Sequence, residues 1–164
     1  MRRAWRTGTV ALAAAAVLAG CSPPHLNLIA VYVGDDGKPW VMMAACGSDR
    51  IASAHVMSEA EPGAAPPAGL ESGWVGWWTE AGARGGTFPL FEPPASWHSK
   101  PMGEQRLLAG RTYWAQFRSP DDGVYYGEAY FTEDDLAGLA PGEVWADGRA
   151  MSRGAFRKVR DDAC

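Results

Sequence analysis

Histidine and lysine are scarce in this chain of 164 residues, which contains three of each. His25, His55 and His98 are too far apart in sequence to place two metal ligands on one helix or strand, so no metal site is predicted. No glycine-rich loop precedes a helix and a lysine, and no serine stands in a glycine-flanked turn that would expose it as a nucleophile. The sequence therefore assigns no cofactor and no catalytic residue. It favours a non-catalytic protein, with a site assembled from distant residues as the open alternative.

Basic residues are outnumbered by acidic ones, 15 to 19, and they form no long run. The densest basic group, within residues 157–160, is followed at once by Asp161 and Asp162. Binding to a phosphate backbone depends on clustered positive charge, so nucleic acid is not an expected partner.

Long hydrophobic runs are also missing. The longest apolar stretch, residues 10–19, has ten residues, whereas a membrane-spanning helix needs about 20. The stretch follows Arg2, Arg3 and Arg6, and this order is typical of a secretory signal peptide. An uncleaved membrane helix is the alternative, which the short run disfavours.

The residues Leu18-Ala19-Gly20-Cys21 end this stretch and resemble the lipobox of bacterial lipoprotein precursors. The resemblance implies a thioether-linked lipid on Cys21 and cleavage just before it. It divides the chain into a signal peptide (1–20), a lipidated tether (21–25) and a single globular domain (26–164). It also implies a location at the extracytoplasmic face of the cell membrane. Cleavage removes three arginines and no carboxylate, so the formal charge changes from −4 to −7.

Only three cysteines are present. With Cys21 lipidated, Cys46 and Cys164 are left as a pair in an oxidising compartment, where free thiols are uncommon. We predict a disulfide between them, with two free thiols as the alternative.

Apolar residues alternate with polar ones through most of the domain, which is typical of strands. Turn-forming glycine, aspartate and proline separate these segments. The predicted strands cover residues 26–33, 40–46, 51–57, 74–79, 87–91, 111–119 and 124–131. A loop is expected at 59–73, a second proline-containing connection at 92–110, and a C-terminal helix from Arg153 to about Asp162. Pro89 favours an edge position for its strand, because proline cannot donate to a neighbouring strand.

Before the clearest strand pattern stands the sequence Leu108-Ala109-Gly110-Arg111-Thr112-Tyr113. Its spacing of Leu, Gly and Tyr resembles the tyrosine corner of immunoglobulin-like and fibronectin type III sandwiches, although those families usually have Pro where Ala109 stands. The resemblance implies a mainly β fold, an antiparallel immunoglobulin-like β-sandwich with a short C-terminal helix. An α+β fold with a single antiparallel sheet is the alternative.

Tryptophan is concentrated around one predicted strand. Because side chains alternate along a strand, Trp74 and Trp78 share one face while Trp77 is on the other, so at least one ring is expected at the surface. Together with Trp97 and His98 these residues form the candidate binding surface for an envelope protein or a carbohydrate. The alternative is that the tryptophans fill the core.

The overall layout, from lipobox through a Trp-rich β domain to a terminal cysteine, resembles the small exported lipoproteins of actinobacteria. This resemblance implies location more than activity. It favours a lipid-anchored binding or accessory module at the cell envelope. A small envelope hydrolase and a purely structural envelope component are the alternatives.

Overall fold

The computed structural model describes residues 24–60, 75–80, 82–120 and 125–164. Several predicted features lie outside the described residues: the signal peptide with the lipobox, the lipidated Cys21, most of the loop at 59–73, Trp74 and the turn at 121–123.

The described residues form thirteen short strands and three helical segments. The strands are β1 His25–Leu26, β2 Ile29–Val33, β3 Pro39–Met43, β4 Arg50–Ile51, β5 Ser53–Ala60, β6 Val75–Thr79, β7 Ala83–Arg84, β8 Gly86–Pro89, β9 Lys100–Met102, β10 Arg111–Arg118, β11 Tyr126–Thr132, β12 Glu143–Ala146 and β13 Arg149–Ser152. The helical segments are a 3₁₀ turn Ala95–Trp97, α1 Glu133–Ala137 and α2 Arg153–Ala163.

Two large sheets make up the domain. One has six strands in the order β1-β11-β10-β5-β6-β9, and the other has five in the order β13-β12-β2-β3-β8. Strands β4 and β7 form a separate two-residue ladder. Within the described residues the pairs are antiparallel, except that β1 runs parallel to β11. The fold class predicted from the sequence, a mainly β sandwich with a short C-terminal helix, is confirmed, and the single-sheet alternative is wrong.

The main core lies between the two large sheets. Val31 and Val41 of the five-stranded sheet belong to the same buried cluster as Trp77, Tyr113 and Phe117 of the six-stranded sheet. All five side chains are at most 1% exposed. Burying an apolar side chain of this kind stabilises the fold by about 1.5–3 kcal/mol, so contact between the sheets is the main source of stability.

The tyrosine of the predicted corner joins a strand to the loop before it. The Tyr113 hydroxyl accepts a hydrogen bond from the Leu108 backbone N–H at 2.8 Å and donates one to the Arg106 carbonyl at 3.3 Å. The ring itself is fully buried, so the phenol satisfies loop backbone groups at the edge of the core.

The strand predicted at residues 26–33 is wrong as a single element. The chain leaves the six-stranded sheet after Leu26 and enters the five-stranded sheet at Ile29. A tight turn makes the change, because the Leu28 N–H donates to the Leu26 carbonyl at 2.9 Å. Leu28 is fully buried in the main core, so the apolar run is continuous although the strand is not.

The other predicted elements agree with the structure to within a few residues. Strands β2 and β3 form an antiparallel hairpin, and Pro89 ends the edge strand β8, as its proline predicted. Strand β9 and the 3₁₀ turn occupy the connection at 92–110, where no regular element was predicted.

Helix α2 covers the outer side of the five-stranded sheet. The side chain of Ser152 caps the helix by accepting a hydrogen bond from the Ala155 N–H at 3.1 Å. Phe156 packs against Ala30 and Tyr32 in a second buried cluster. The molecule is therefore layered as sheet, core, sheet, second cluster and helix.

A disulfide joins Cys46, just beyond β3, to Cys164 at the end of α2, with a Cα–Cα distance of 5.4 Å. The predicted pairing is confirmed. It links residues 118 positions apart, so it fixes the C-terminal helix to the sheet that the helix covers.

Replacing both Cys46 and Cys164 by alanine should lower the free energy of unfolding by about 4–5 kcal/mol, because the cross-link restricts a very long loop in the unfolded chain. Urea unfolding of the oxidised wild type and of the double variant measures the difference. Reductant should destabilise the wild type to a similar extent and leave the variant unchanged. Two freely alkylated thiols in the exported wild-type protein would contradict the prediction.

Candidate functional site

The six-stranded sheet presents a mixed aromatic and polar surface on the side away from the core. On β10 and β11 buried residues alternate with residues that are half-buried or exposed. The register aligns the outward residues of five neighbouring strands into rows. We call this surface the outer face; it comprises His55, Met57, Trp78, Lys100, Met102, Trp114, Gln116, Tyr126, Glu128 and Tyr130.

One row of the outer face is apolar. Trp114 of β10 is paired with Met57 of β5 on one side and with Tyr130 of β11 on the other. Beyond Met57 the row continues through Gly76 to Met102 of β9. Tyr130 is 54% exposed. Among the described residues, it and Val33 are the large hydrophobic side chains that are exposed.

Gly76 is required at its place in this row. Its φ is +134°, and a Cβ atom added there would lie 1.9 Å from the Val56 carbonyl oxygen. Any other residue would therefore clash with β5, so the row has no side chain at this point.

The adjacent row is polar and is centred on His55. Gln116 and Trp78 are its neighbours across the strands, and Gln116 donates a hydrogen bond to Glu128 at 2.7 Å. Burial lowers the pKa of His55, while the nearby Glu128 carboxylate acts in the opposite direction.

His55 and Trp114 form a hydrogen-bonded pair between the two rows. The indole N–H of Trp114 donates to Nε2 of His55 at 2.8 Å, and the rings meet edge to face. Because Nε2 accepts this bond, the imidazole is neutral and carries its proton on Nδ1. The pair fixes the orientation of a large ring on the outer face.

Trp78 stands where the outer face meets the loop after the 3₁₀ turn. Its ring is half-buried, and the Lys100 ammonium lies 4.4 Å from the ring centroid. Trp78, Glu80, Trp97, His98 and Lys100, together with Thr79, line an open cleft of about 280 Å³. We call this the edge cleft; its volume is close to the lower limit for ligand pockets, about 300 Å³.

The structure thus brings Trp78, Trp97 and His98 together, as the sequence predicted, but the tryptophans differ in role. Trp97 is 3% exposed and contributes the floor of the edge cleft. Trp77 is not part of the surface. It is 1% exposed, and its indole N–H donates to the Leu90 carbonyl at 2.7 Å inside the core. Trp74 lies beyond the described residues.

The edge cleft contains a histidine and a carboxylate that do not interact. His98 and Glu80 both line it, but no hydrogen bond or ion pair joins these two described residues. His98 has a left-handed backbone conformation because it ends the 3₁₀ turn. The cleft therefore shows no acid–base pair of the kind that a hydrolase would use.

The sequence prediction missed the part of the surface contributed by Trp114, Tyr130, Met57 and His55. The alternation of residues 111–119 puts Trp114 and Gln116 on the strand face opposite Tyr113, and this pattern is the signal that could have identified them as facing outward. Their neighbours could not be found in this way, because the pairing of β10 with β5 and β11 is set by the fold.

No protein-family model, curated protein or solved structure matches the chain. Among the described residues, no group of three or more histidine, cysteine, aspartate or glutamate side chains is arranged to hold a metal ion. None of the helices in that part of the chain is long and apolar enough to cross a membrane.

The lowered pKa of His55 predicts a pH-dependent stability. Between the folded-state pKa and the ordinary value of 6.5, the unfolded chain binds more protons than the folded one. The contribution of His55 is therefore complete above about pH 6.5 and is lost as the pH falls towards the folded-state pKa.

Denaturant unfolding between pH 5 and 8 should show this loss in the wild type and less of it in His55→Gln. His98→Gln, a change at an exposed histidine, serves as the control and should keep the wild-type dependence. An NMR titration that placed the His55 pKa at or above 6.5 would overturn the assignment.

Proposed function

We propose that the protein is a lipid-anchored, non-catalytic binding module on the extracytoplasmic face of the cell membrane, and that it binds a protein partner through the outer face. The observation that carries this proposal is the broad apolar row formed by Trp114, Met57, Tyr130 and Met102, supplemented by Trp78.

The composition of the outer face supports a protein partner. Trp, Tyr and Met are the residue types enriched in protein–protein interfaces, while the interface rim is usually polar. Lys100 and Glu128 lie in the polar row along one side of the apolar row. Methionine adds an adaptable apolar contact that tolerates imperfect fit.

The extent of the surface also suits a protein. The outer face spans five neighbouring strands, β9, β6, β5, β10 and β11. With a spacing of about 4.8 Å between strands, its width is roughly 20 Å. A surface of this width is far larger than a sugar ring and approaches the scale of a standard protein interface, about 800 Å² on each partner.

The anchoring part of the proposal is supported by the sequence alone. The basic start, the ten-residue apolar run and the lipobox ending in Cys21 occur in the order that lipidation requires. A single lipid chain binds membranes only marginally, whereas two or more chains anchor a protein stably.

Changing Cys21→Ser should abolish labelling of the protein with palmitate, because serine has no thiol to accept the lipid. Growth of the producing cells with labelled palmitate compares the wild type with the variant. Cys164→Ser, which removes a cysteine of the disulfide, is the control and should keep the label. Palmitate label retained by Cys21→Ser would contradict the lipid anchor.

Photo-crosslinking tests the partner surface. With p-benzoylphenylalanine at position 130, irradiation of intact cells should give a discrete adduct in which mass spectrometry finds peptides of a second protein. The same group at position 33 is the matched control, since Val33 is 44% exposed but belongs to the other sheet. Equal adducts from both positions, or an adduct that contains no peptide of a second protein and is destroyed by periodate, would contradict a protein partner on the outer face.

Trp78→Ala should weaken the same adduct about tenfold or more, if the ring is one of the few side chains that dominate binding energy. Trp40→Ala is the control because Trp40 is also half-buried but lies on the five-stranded sheet. Circular dichroism confirms that each variant is folded. An unchanged adduct from folded Trp78→Ala would exclude this ring from the surface.

A further inference from the structure

A second cleft, on the opposite side of the sandwich from the outer face, is strongly basic. It has a volume of about 500 Å³ and lies between α2, the end of β3 and the β7–β8 segment. Arg84, Arg153, Arg157 and Arg160 all line it, against one carboxylate, Asp49. We call it the arginine cleft. Its charge is notable because the chain as a whole is acidic.

Three of the arginines come from one side of helix α2. Arg153, Arg157 and Arg160 recur at spacings of four and three, which brings their side chains to the same helix face. Like charges at this spacing repel each other. Arg153 also stands at the first position of the helix, where the helix dipole disfavours a positive charge. The favourable interaction of positive charge with the C-terminal end of the helix dipole therefore accounts for Arg160 in the last turn. It does not account for Arg153 and Arg157.

The fourth arginine is also placed against a like charge. Arg84 of β7 is paired directly across the ladder with Arg50 of β4, an arrangement that is unfavourable between strands. The Arg50 guanidinium donates to the Gly82 carbonyl. Two separate parts of the fold thus bring positive charges to the same cleft at an electrostatic cost.

The ion pairs found among the described residues leave most of this charge uncompensated. Arg160 pairs with Asp161 at 2.5 Å. The guanidinium of Arg153 lies 4.4 Å from the Tyr32 ring centroid, a contact that orients it and leaves its N–H edges able to donate. Arg84 and Arg157 have no ion pair with any described carboxylate.

The cleft has an apolar wall beside the arginines. Phe156 and Met42 line it together with the backbone of a glycine-containing segment at residues 85–86. Its volume is within the range of small-molecule sites, about 300–1,000 Å³. The Cys46–Cys164 disulfide holds the end of α2 against the loop after β3, so the two sides of the cleft are fixed relative to each other.

We propose that the arginine cleft binds a small molecule that carries a phosphate group on an apolar body. Guanidinium groups recognise phosphate through paired, charge-assisted hydrogen bonds, and Phe156 and Met42 accommodate the apolar part. The phosphate belongs either to a soluble organophosphate or to a phospholipid headgroup.

Calorimetry with phenyl phosphate tests the site, using the full chain carrying Cys21→Ser so that no attached lipid interferes. Phenyl phosphate should bind more tightly than inorganic phosphate, because it adds the apolar contact, and more tightly than benzoate, because it offers more charge and more acceptor oxygens. Arg84→Gln and Arg157→Gln should each weaken binding about 10- to 100-fold, as expected for loss of a hydrogen bond to a charged group. Both arginines are exposed, so folding should be unaffected.

Arg149→Gln is the control, since it removes the same charge from an exposed arginine outside the cleft, and it should bind like the wild type.

Vesicles of phosphatidylglycerol and of phosphatidylcholine distinguish the two sources of phosphate. Arginine-dependent binding to phosphatidylglycerol vesicles without binding to phenyl phosphate assigns a lipid headgroup, and the converse assigns a soluble ligand. Absence of both, equal binding by benzoate, or equal loss in Arg149→Gln would overturn the proposal.

Discussion

Strand β10 is hydrogen-bonded on both sides, to β5 and to β11, and every second side chain along it is packed into the core. Tyr113 and Phe117 cannot leave that core without exposing large apolar surface, so the register of β10 is fixed. The side-chain period of a strand is two, and a slip by one residue would exchange the core and surface rows. The positions of Trp114 and Gln116 on the outer face therefore follow from the burial of their neighbours.

The two sheets differ in what covers their outer sides. Helix α2 covers the five-stranded sheet, where Ala30, Tyr32 and Phe156 form a second buried cluster. No helix lies over the outer face in the part of the chain that the structure describes. A sheet face without a covering layer is exposed to water, so its apolar rings are accompanied by polar groups. The hydrogen bond from Trp114 to His55 is one example, because it gives a partner to an indole N–H that would otherwise lie in partly apolar surroundings.

Sequence reasoning predicted the elements that have a strong local pattern. The alternation of β10, the C-terminal helix and the cysteine pair each depend on a few residues of known chemistry. The hairpin β12–β13 had a comparable signal in Asp147-Gly148, both of which have positive φ as a two-residue turn requires. Its strands are only four residues long, so the alternation was too brief to be recognised.

The parts that could not be predicted depend on contacts between distant segments. At Asn27 and Leu28 the chain changes sheets, and apolar residues pack against the core on either side of the change, so hydrophobicity gives no sign of it. The arginine cleft depends on the approach of β7 to α2, which are far apart in sequence. The outer face was found only in part because a single strand reveals which residues share a face and not which strands lie beside it.

If Cys21 carries the proposed lipid, the strand order of the six-stranded sheet also sets the orientation of the domain at the membrane. The four residues from Cys21 to His25 reach at most about 14 Å, which holds the β1 edge near the membrane. Strand β9 lies five strand spacings from β1, about 24 Å away, so Trp78 and the edge cleft are at the end of the sheet most distant from the anchor. A partner of the outer face would then approach the protein from the side, parallel to the membrane, and would meet the edge cleft without displacing lipid.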